Sequence, residues 1–145
     1  MKAGGFDVKL KIFSGYELPT YTAPAFCGIA CVATLILVHE SLMPTGPSSS
    51  LNHFDKVMHF LSYFVLTGLW AIACGGRTLI KIALIIATMG IGLEIAQHVM
   101  ELGRTGSIWD ALANFAGCVF AVIAVKTLIG ADPANRTNAT PQHTV

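Results

Sequence analysis

The sequence predicts an all-α membrane protein, a bundle of four transmembrane helices with both termini cytoplasmic. Three observations predict it. The 145-residue chain is 54% hydrophobic and only 12% charged, where a soluble domain carries roughly 25% charged residues, and its mean hydropathy is +0.66. Four apolar segments, each long enough to cross about 30 Å of hydrocarbon as a helix, fill most of its length. Lysine and arginine sort to alternate sides of those segments.

The elements follow in order. Residues 1–22 form a cytoplasmic arm. Within it "FDVKLKIF" alternates apolar and charged residues over Phe6 to Phe13, and we read it as an arm with interfacial anchors at Tyr16 and Tyr21 in preference to a short strand. The transmembrane domain covers 23–130. Its first helix spans about 23–43, between Pro24 and Pro44. This segment is longer than most secretory signal cores, and no small-x-small cleavage site follows it. A Pro/Gly/Ser loop, "PTGPSSSLNH", separates it from a second helix at about 55–74. "GGR" then makes a tight turn into a third helix at about 79–100, and "LGRTGS" leads to a fourth at about 108–129. A membrane barrel would show short alternating segments instead. The polar tail, 131–145, is expected to be disordered, and its two glycosylation sequons, at Asn135 and Asn138, are read as chance. The cysteines, Cys27, Cys31, Cys74 and Cys118, all lie in apolar stretches without a CxxC pair and are read as small packing residues. Gly68, Gly90, Gly92, Gly117 and Ala121 are expected to let helix backbones approach.

Orientation comes from the basic residues. With the N-terminus cytoplasmic, Lys2, Lys9, Lys11, Arg77, Lys81, Lys126 and Arg136 lie inside, and only Lys56 and Arg104 lie outside. A net charge of +1 offers no basic surface for nucleic acid. On this topology Glu40, Asp55, Glu94, Glu101 and Asp110, with His39, His53, His59 and His98, gather toward the outer end. Sorting of Lys and Arg does not require this gathering, so it is the main functional signal.

The spacing gives the cluster a geometry. Asp55 and His59 are four apart and share a helix face, His59 about 6 Å further in. Glu94, Gln97, His98 and Glu101 make a stripe at the end of the third helix. Asp110, Asn114 and Gly117 share a face of the fourth, and Asn114 reaches about 9 Å in, level with Glu94. Ser107-Ile-Trp-Asp110 has the form of a capping box, with Ser107 as the N-cap and Asp110 at the positive end of the helix dipole. As a staple between helices, Arg104 would neutralise Asp110 or Glu94, with Asn114 and Gln97 hydrogen-bonding across. Ionisable groups inside a membrane nevertheless point first to a functional site.

"DKVMHFLSYFVL", "IGLEIAQ" and "GRTGSIWDALANFAG", in that order, resemble the VanZ-like family of bacterial membrane proteins. The likeness covers about Asp55 to Ala121. The family's polar positions fall on Asp55, Lys56, His59, Glu94, Gln97, Arg104, Asp110 and Asn114. His39, Glu40 and His98 have no counterpart in the pattern. The family's named member is associated with low-level resistance to teicoplanin, so the resemblance implies a role in the bacterial cell envelope, in the cytoplasmic membrane.

Four functions follow from the residues and the resemblance together. The first is an outward pocket for a headgroup, of a membrane lipid, a lipid-linked cell-wall precursor or a glycopeptide, with Arg104 and Lys56 taking phosphate or carboxylate and Asp55, Glu94 and Asn114 orienting it. The second is an enzyme on an envelope lipid with Asp55, His59, Glu94 and Asp110 as candidate acids and bases. The third is a metal site from the pairs Asp55/His59 and Glu94/His98. Lys56 and Arg104 would repel a cation, so neither metal nor cofactor is expected. The fourth is proton-coupled transport, for which four short spans would have to form a homo-oligomer.

Overall fold

The computed structural model describes residues 11–12, 16–17, 22–43, 52–76, 78–100 and 106–130. Its helices are α1 (Thr22–Leu42), α2 (Asn52–Ala73), α3 (Leu79–Met100) and α4 (Ile108–Gly130). All four are long and apolar enough to cross a membrane, and the chain is a multi-pass membrane protein of all-helical fold. The expected and observed ends agree to within three residues. In the arm, the strands β1 (Lys11–Ile12) and β2 (Tyr16–Glu17) form a minimal antiparallel pair, Lys11 opposite Glu17 and Ile12 opposite Tyr16. The remainder of the arm, the Pro44 to Leu51 part of the first loop, the tail with its sequons, Glu101 and Arg104 lie outside the described residues.

α2 and α4 are the central pair, and they touch closely because Gly117 has no side chain. A Cβ at that position would overlap the Phe60 carbonyl oxygen and lie 3.0 Å from the Phe64 amide nitrogen. Phe60 stacks on Phe64 at 6.2 Å and meets Phe120 edge-on at 5.6 Å. Thr67 and Cys118 lie on the same seam, the threonine hydroxyl donating to the sulfur at 3.4 Å. The core continues through Tyr63, Leu66, Ile82, Ile86 and Ala87, and the Tyr63 ring lies over Gly90. Ala121 is fully buried. The small-residue expectation therefore holds at Gly90, Gly117 and Ala121. It fails at Gly68 and Gly92, where a Cβ would meet nothing within 4 Å.

α1 is the outer wall. Ala33 and Leu37 pack on the core, and the Trp70 indole N–H donates to Thr34 Oγ1 at 3.0 Å, but Ile29, Val32, Leu35 and Ile36 are exposed. In a membrane such surface faces acyl chains, which are as apolar as the side chains themselves. The α2–α3 connection is fixed by glycine. Gly75 and Gly76 have φ of 67° and 70°, the left-handed region that favours glycine. The Gly75 amide bonds the Ile72 carbonyl at 3.0 Å, and that of Gly76 bonds the Ala71 carbonyl at 2.8 Å, a Schellman ending that satisfies two of the last carbonyls of α2.

Candidate functional site

The polar residues meet at one end of the bundle. Asp55, Lys56 and His59 come from the start of α2, Glu94 and Gln97 from the end of α3, and Asp110 and Asn114 from the start of α4. Glu94, Gln97, Asp110 and Asn114 are buried.

His59 is the hub. Its Nδ1 lies 3.0 Å from Asn114 Oδ1 and 3.8 Å from Glu94 Oε1, while its Nε2 lies 3.9 Å from Asp55 Oδ1. One imidazole thus touches all three helices. The expectation that Glu94 and Asn114 reach the same depth is met by this shared contact.

Lys56 donates to Asp110 Oδ1 at 3.1 Å. The cation on Asp110, among the described residues, is therefore the lysine four positions before His59's neighbour Phe60 on α2. Arg104, expected from the sequence to neutralise Asp110 or Glu94, lies outside the described residues. Lys56 is reachable because its long apolar stem can cross from one helix to the next while its amine stays near the surface.

The start of α4 is capped in an unexpected way. Ser107 Oγ accepts from the Trp109 amide at 3.2 Å, the expected N-cap contact. In a capping box the acid three residues on would accept from the Ser107 amide. Here Glu94 of α3 takes that amide instead, at 2.9 Å to Oε2, which leaves Asp110 for Lys56. Gly106 makes this possible, because a Cβ there would overlap the Glu94 carbonyl oxygen. Gln97 performs a similar service for α1, its side-chain amide donating to the Ser41 carbonyl at 2.7 Å, one of the four carbonyls left over at a helix end. Both helix-end groups, the Ser107 amide and the Ser41 carbonyl, belong to the backbone and carry no side-chain signal in a sequence.

His98 and the His39–Glu40 pair are exposed. His98 thus does not join His59, and the imagined Glu94/His98 half of a metal site does not form. A different set comes together: the ligand atoms of Asp55, His59 and Asp110 all lie within 4.8 Å of one another. Beside this cluster a groove of about 610 Å³ runs between α1 and α2. Its polar end is Glu40, Ser41, Asp55 and His59, and its floor is apolar, with Leu37, Met58, Leu61 and Val65 among its lining. Glu40, to which the sequence assigned no role, thus has a place at the mouth of the groove.

A model of the family described as VanZ/LLP1 matches residues 17–129. The uncharacterized protein C11E3.10 of Schizosaccharomyces pombe is 24% identical over 99 residues, which cover 66% of this chain and 60% of the yeast protein. The chain therefore spans somewhat under two thirds of that relative. No solved structure matches the chain.

Proposed function

The chain belongs to the VanZ/LLP1 family, and on that premise we propose that it binds an amphiphile of the bacterial cell envelope, headgroup at the polar cluster and chain in the groove between α1 and α2. The observation that carries this reading is the continuity of the two surfaces: Asp55 and His59 belong to the cluster and also line the polar end of an otherwise apolar groove. Binding sites are typically clefts of about 300–1,000 Å³, mostly apolar with a few placed polar groups. The site faces outward, in the cytoplasmic membrane, where lipid-linked cell-wall precursors and glycopeptides are both encountered.

The test uses a groove-filling variant. Val65 lines the groove and is half exposed, so Val65→Trp fills the groove without entering the core. Wild-type protein extracted from membranes is expected to retain one class of lipid in native mass spectra, and Val65→Trp to lose it while melting at the wild-type temperature. Teicoplanin susceptibility of the host should change in parallel. Identical lipid profiles for the two proteins would refute the groove as a binding site.

The orientation has its own measurement. Single cysteines at Ser49 and Thr137, in a chain freed of its native cysteines, are treated with an impermeant thiol reagent on intact cells. Labelling is expected at residue 49 alone. Labelling at residue 137 alone would turn the site to the cytoplasm.

A polar staple is the second reading, and one observation favours it. Among the described residues no buried side-chain nitrogen or oxygen lacks a hydrogen-bond partner, as a cluster that only holds helices together requires.

A further inference from the structure

We propose that the hydrogen-bonded pair Trp70 and Thr34 closes the deep end of the groove between α1 and α2, and so sets the length of the acyl chain that the groove admits. The inference rests on the amphiphile reading above and narrows its occupant to a lipid whose acyl chain is no longer than one leaflet is deep.

The first support is the length and depth of the groove. On α2 its lining runs from Asp55 to Leu66, roughly 16 Å of helix. On α1 it runs from Ser41 back to Ala33, roughly 12 Å. Half of a bilayer's hydrocarbon core is about 15 Å. Asp55 and Ser41 stand at one end of their apolar spans, so the groove starts at the membrane surface and is one leaflet deep. Ile36, Leu61 and Val65, all exposed, are among its walls. No water is available at that depth, so hydrocarbon fills the groove.

The second support is what stands at the bottom. Trp70 lies one turn beyond Leu66 on α2, and Thr34 adjoins Ala33 on α1. The Trp70 indole N–H donates to Thr34 Oγ1 at 3.0 Å. The Thr34 hydroxyl donates in turn to the Ala30 carbonyl at 2.7 Å. Both polar atoms of the bridge are thus engaged, and Trp70 also packs against the buried core, so the ring cannot swing aside without giving up these contacts. A tryptophan that only anchors a helix turns its N–H to the wet interface. That of Trp70 is turned across to a neighbouring helix instead. Helical side chains lean toward the N-terminus of their own helix, which tips the indole from its place below Leu66 toward the groove. An acyl chain that follows the groove down from the polar cluster therefore meets a braced ring. A shorter chain leaves a void above it and a longer one must kink out between the helices, and dispersion contact is lost either way.

Full-length protein in detergent is offered an equimolar set of phosphatidylethanolamines and phosphatidylglycerols with chains from decanoyl to octadecanoyl, and the retained lipids are read by native mass spectrometry. Wild type should retain a narrow band of chain lengths. Trp70→Ala removes the stop and opens about one further helical turn, roughly 5 Å, so the band should move to chains longer by several methylenes. Ala33→Leu raises the floor at a half-buried position and should move the band to shorter chains, which decides the matter even if Trp70→Ala does not fold. Thr34→Val keeps the shape without the acceptor, and the band should widen about its wild-type centre. Val65→Trp, which fills the groove higher up, should retain none of the set. A wild type that retains all lengths alike, or a wild-type band in Ala33→Leu or in folded Trp70→Ala, would overturn the stop and leave the groove as a binding site, provided Val65→Trp is empty. Equal retention by wild type and Val65→Trp would overturn the groove and the stop with it.

Discussion

Gly117→Leu is expected to prevent stable assembly of the bundle. The glycine sits where the backbone of α2 leaves no room for a Cβ, against the Phe60 carbonyl and the Phe64 amide. Backbone cannot rotate out of the way as a side chain can, so the helices must separate along the whole seam. Separation would loosen the Phe60 contacts with Phe64 and Phe120 and the Thr67–Cys118 hydrogen bond. Overpacking costs about 1–3 kcal/mol in forgiving cores and more where the backbone itself is the obstacle, and we expect the upper end. Gly92→Ala is the control. Nothing lies within 4 Å of a Cβ there, and alanine is the better helix former by about 1 kcal/mol. Melting followed by size-exclusion fluorescence in detergent should show Gly117→Leu aggregated and Gly92→Ala at or above the wild type. A wild-type melt for Gly117→Leu would mean that α2 and α4 are not packed as described.

The second large effect separates a working site from a staple. Glu94 does two things: its Oε2 accepts the Ser107 amide, and its Oε1 faces His59. Glu94→Gln preserves an acceptor for the amide and deletes the charge. Glu94→Leu deletes both and leaves the half-buried Ser107 N–H without its acceptor, a loss of about 1 kcal/mol, toward the low end for an unsatisfied donor. If the cluster binds a ligand, Glu94→Gln should keep membrane yield and melting temperature and still abolish lipid retention and any effect on teicoplanin susceptibility. Glu94→Leu should lose both. Asp110→Asn should behave like Glu94→Gln with a small extra loss, because its partner Lys56 is about a third exposed and such pairs contribute about 1 kcal/mol or less. Under the staple reading, Glu94→Gln would keep its function for as long as it keeps its fold. Glu94→Gln with normal yield, normal melting and unaltered lipid retention would end the binding-site reading.

How much of this was legible beforehand differs between the fold and the site. The helices were legible because length and hydropathy are one-dimensional properties, and a bilayer reads them as such. The polar face of each helix was legible from spacing, since Asp55/His59 and Asp110/Asn114 are each four apart. The partners across helices were less so. Lys56 reaching Asp110, and Glu94 reaching the Ser107 amide, depend on how the helices are rotated against one another, and periodicity along one helix does not encode that. The glycines illustrate the same limit. Gly92 and Gly117 look alike in the sequence, yet only one faces a neighbouring backbone. The motif S-x-x-D was misleading in part, for it correctly announced the N-cap at Ser107 but not that the acid would serve another residue.

That divided cap ties the order of assembly to the making of the site. A membrane helix forms on insertion and associates with its neighbours afterwards. When α4 first inserts, the Ser107 amide is one of the orphan donors of its opening turn. Its partner is a carboxylate on α3, so the cap closes only when the two helices dock. The same docking brings Glu94 to His59 and leaves Asp110 to Lys56. The chain cannot complete the start of its last helix in this way without also building the polar cluster, so a bundle paired in the wrong register would leave that cap open.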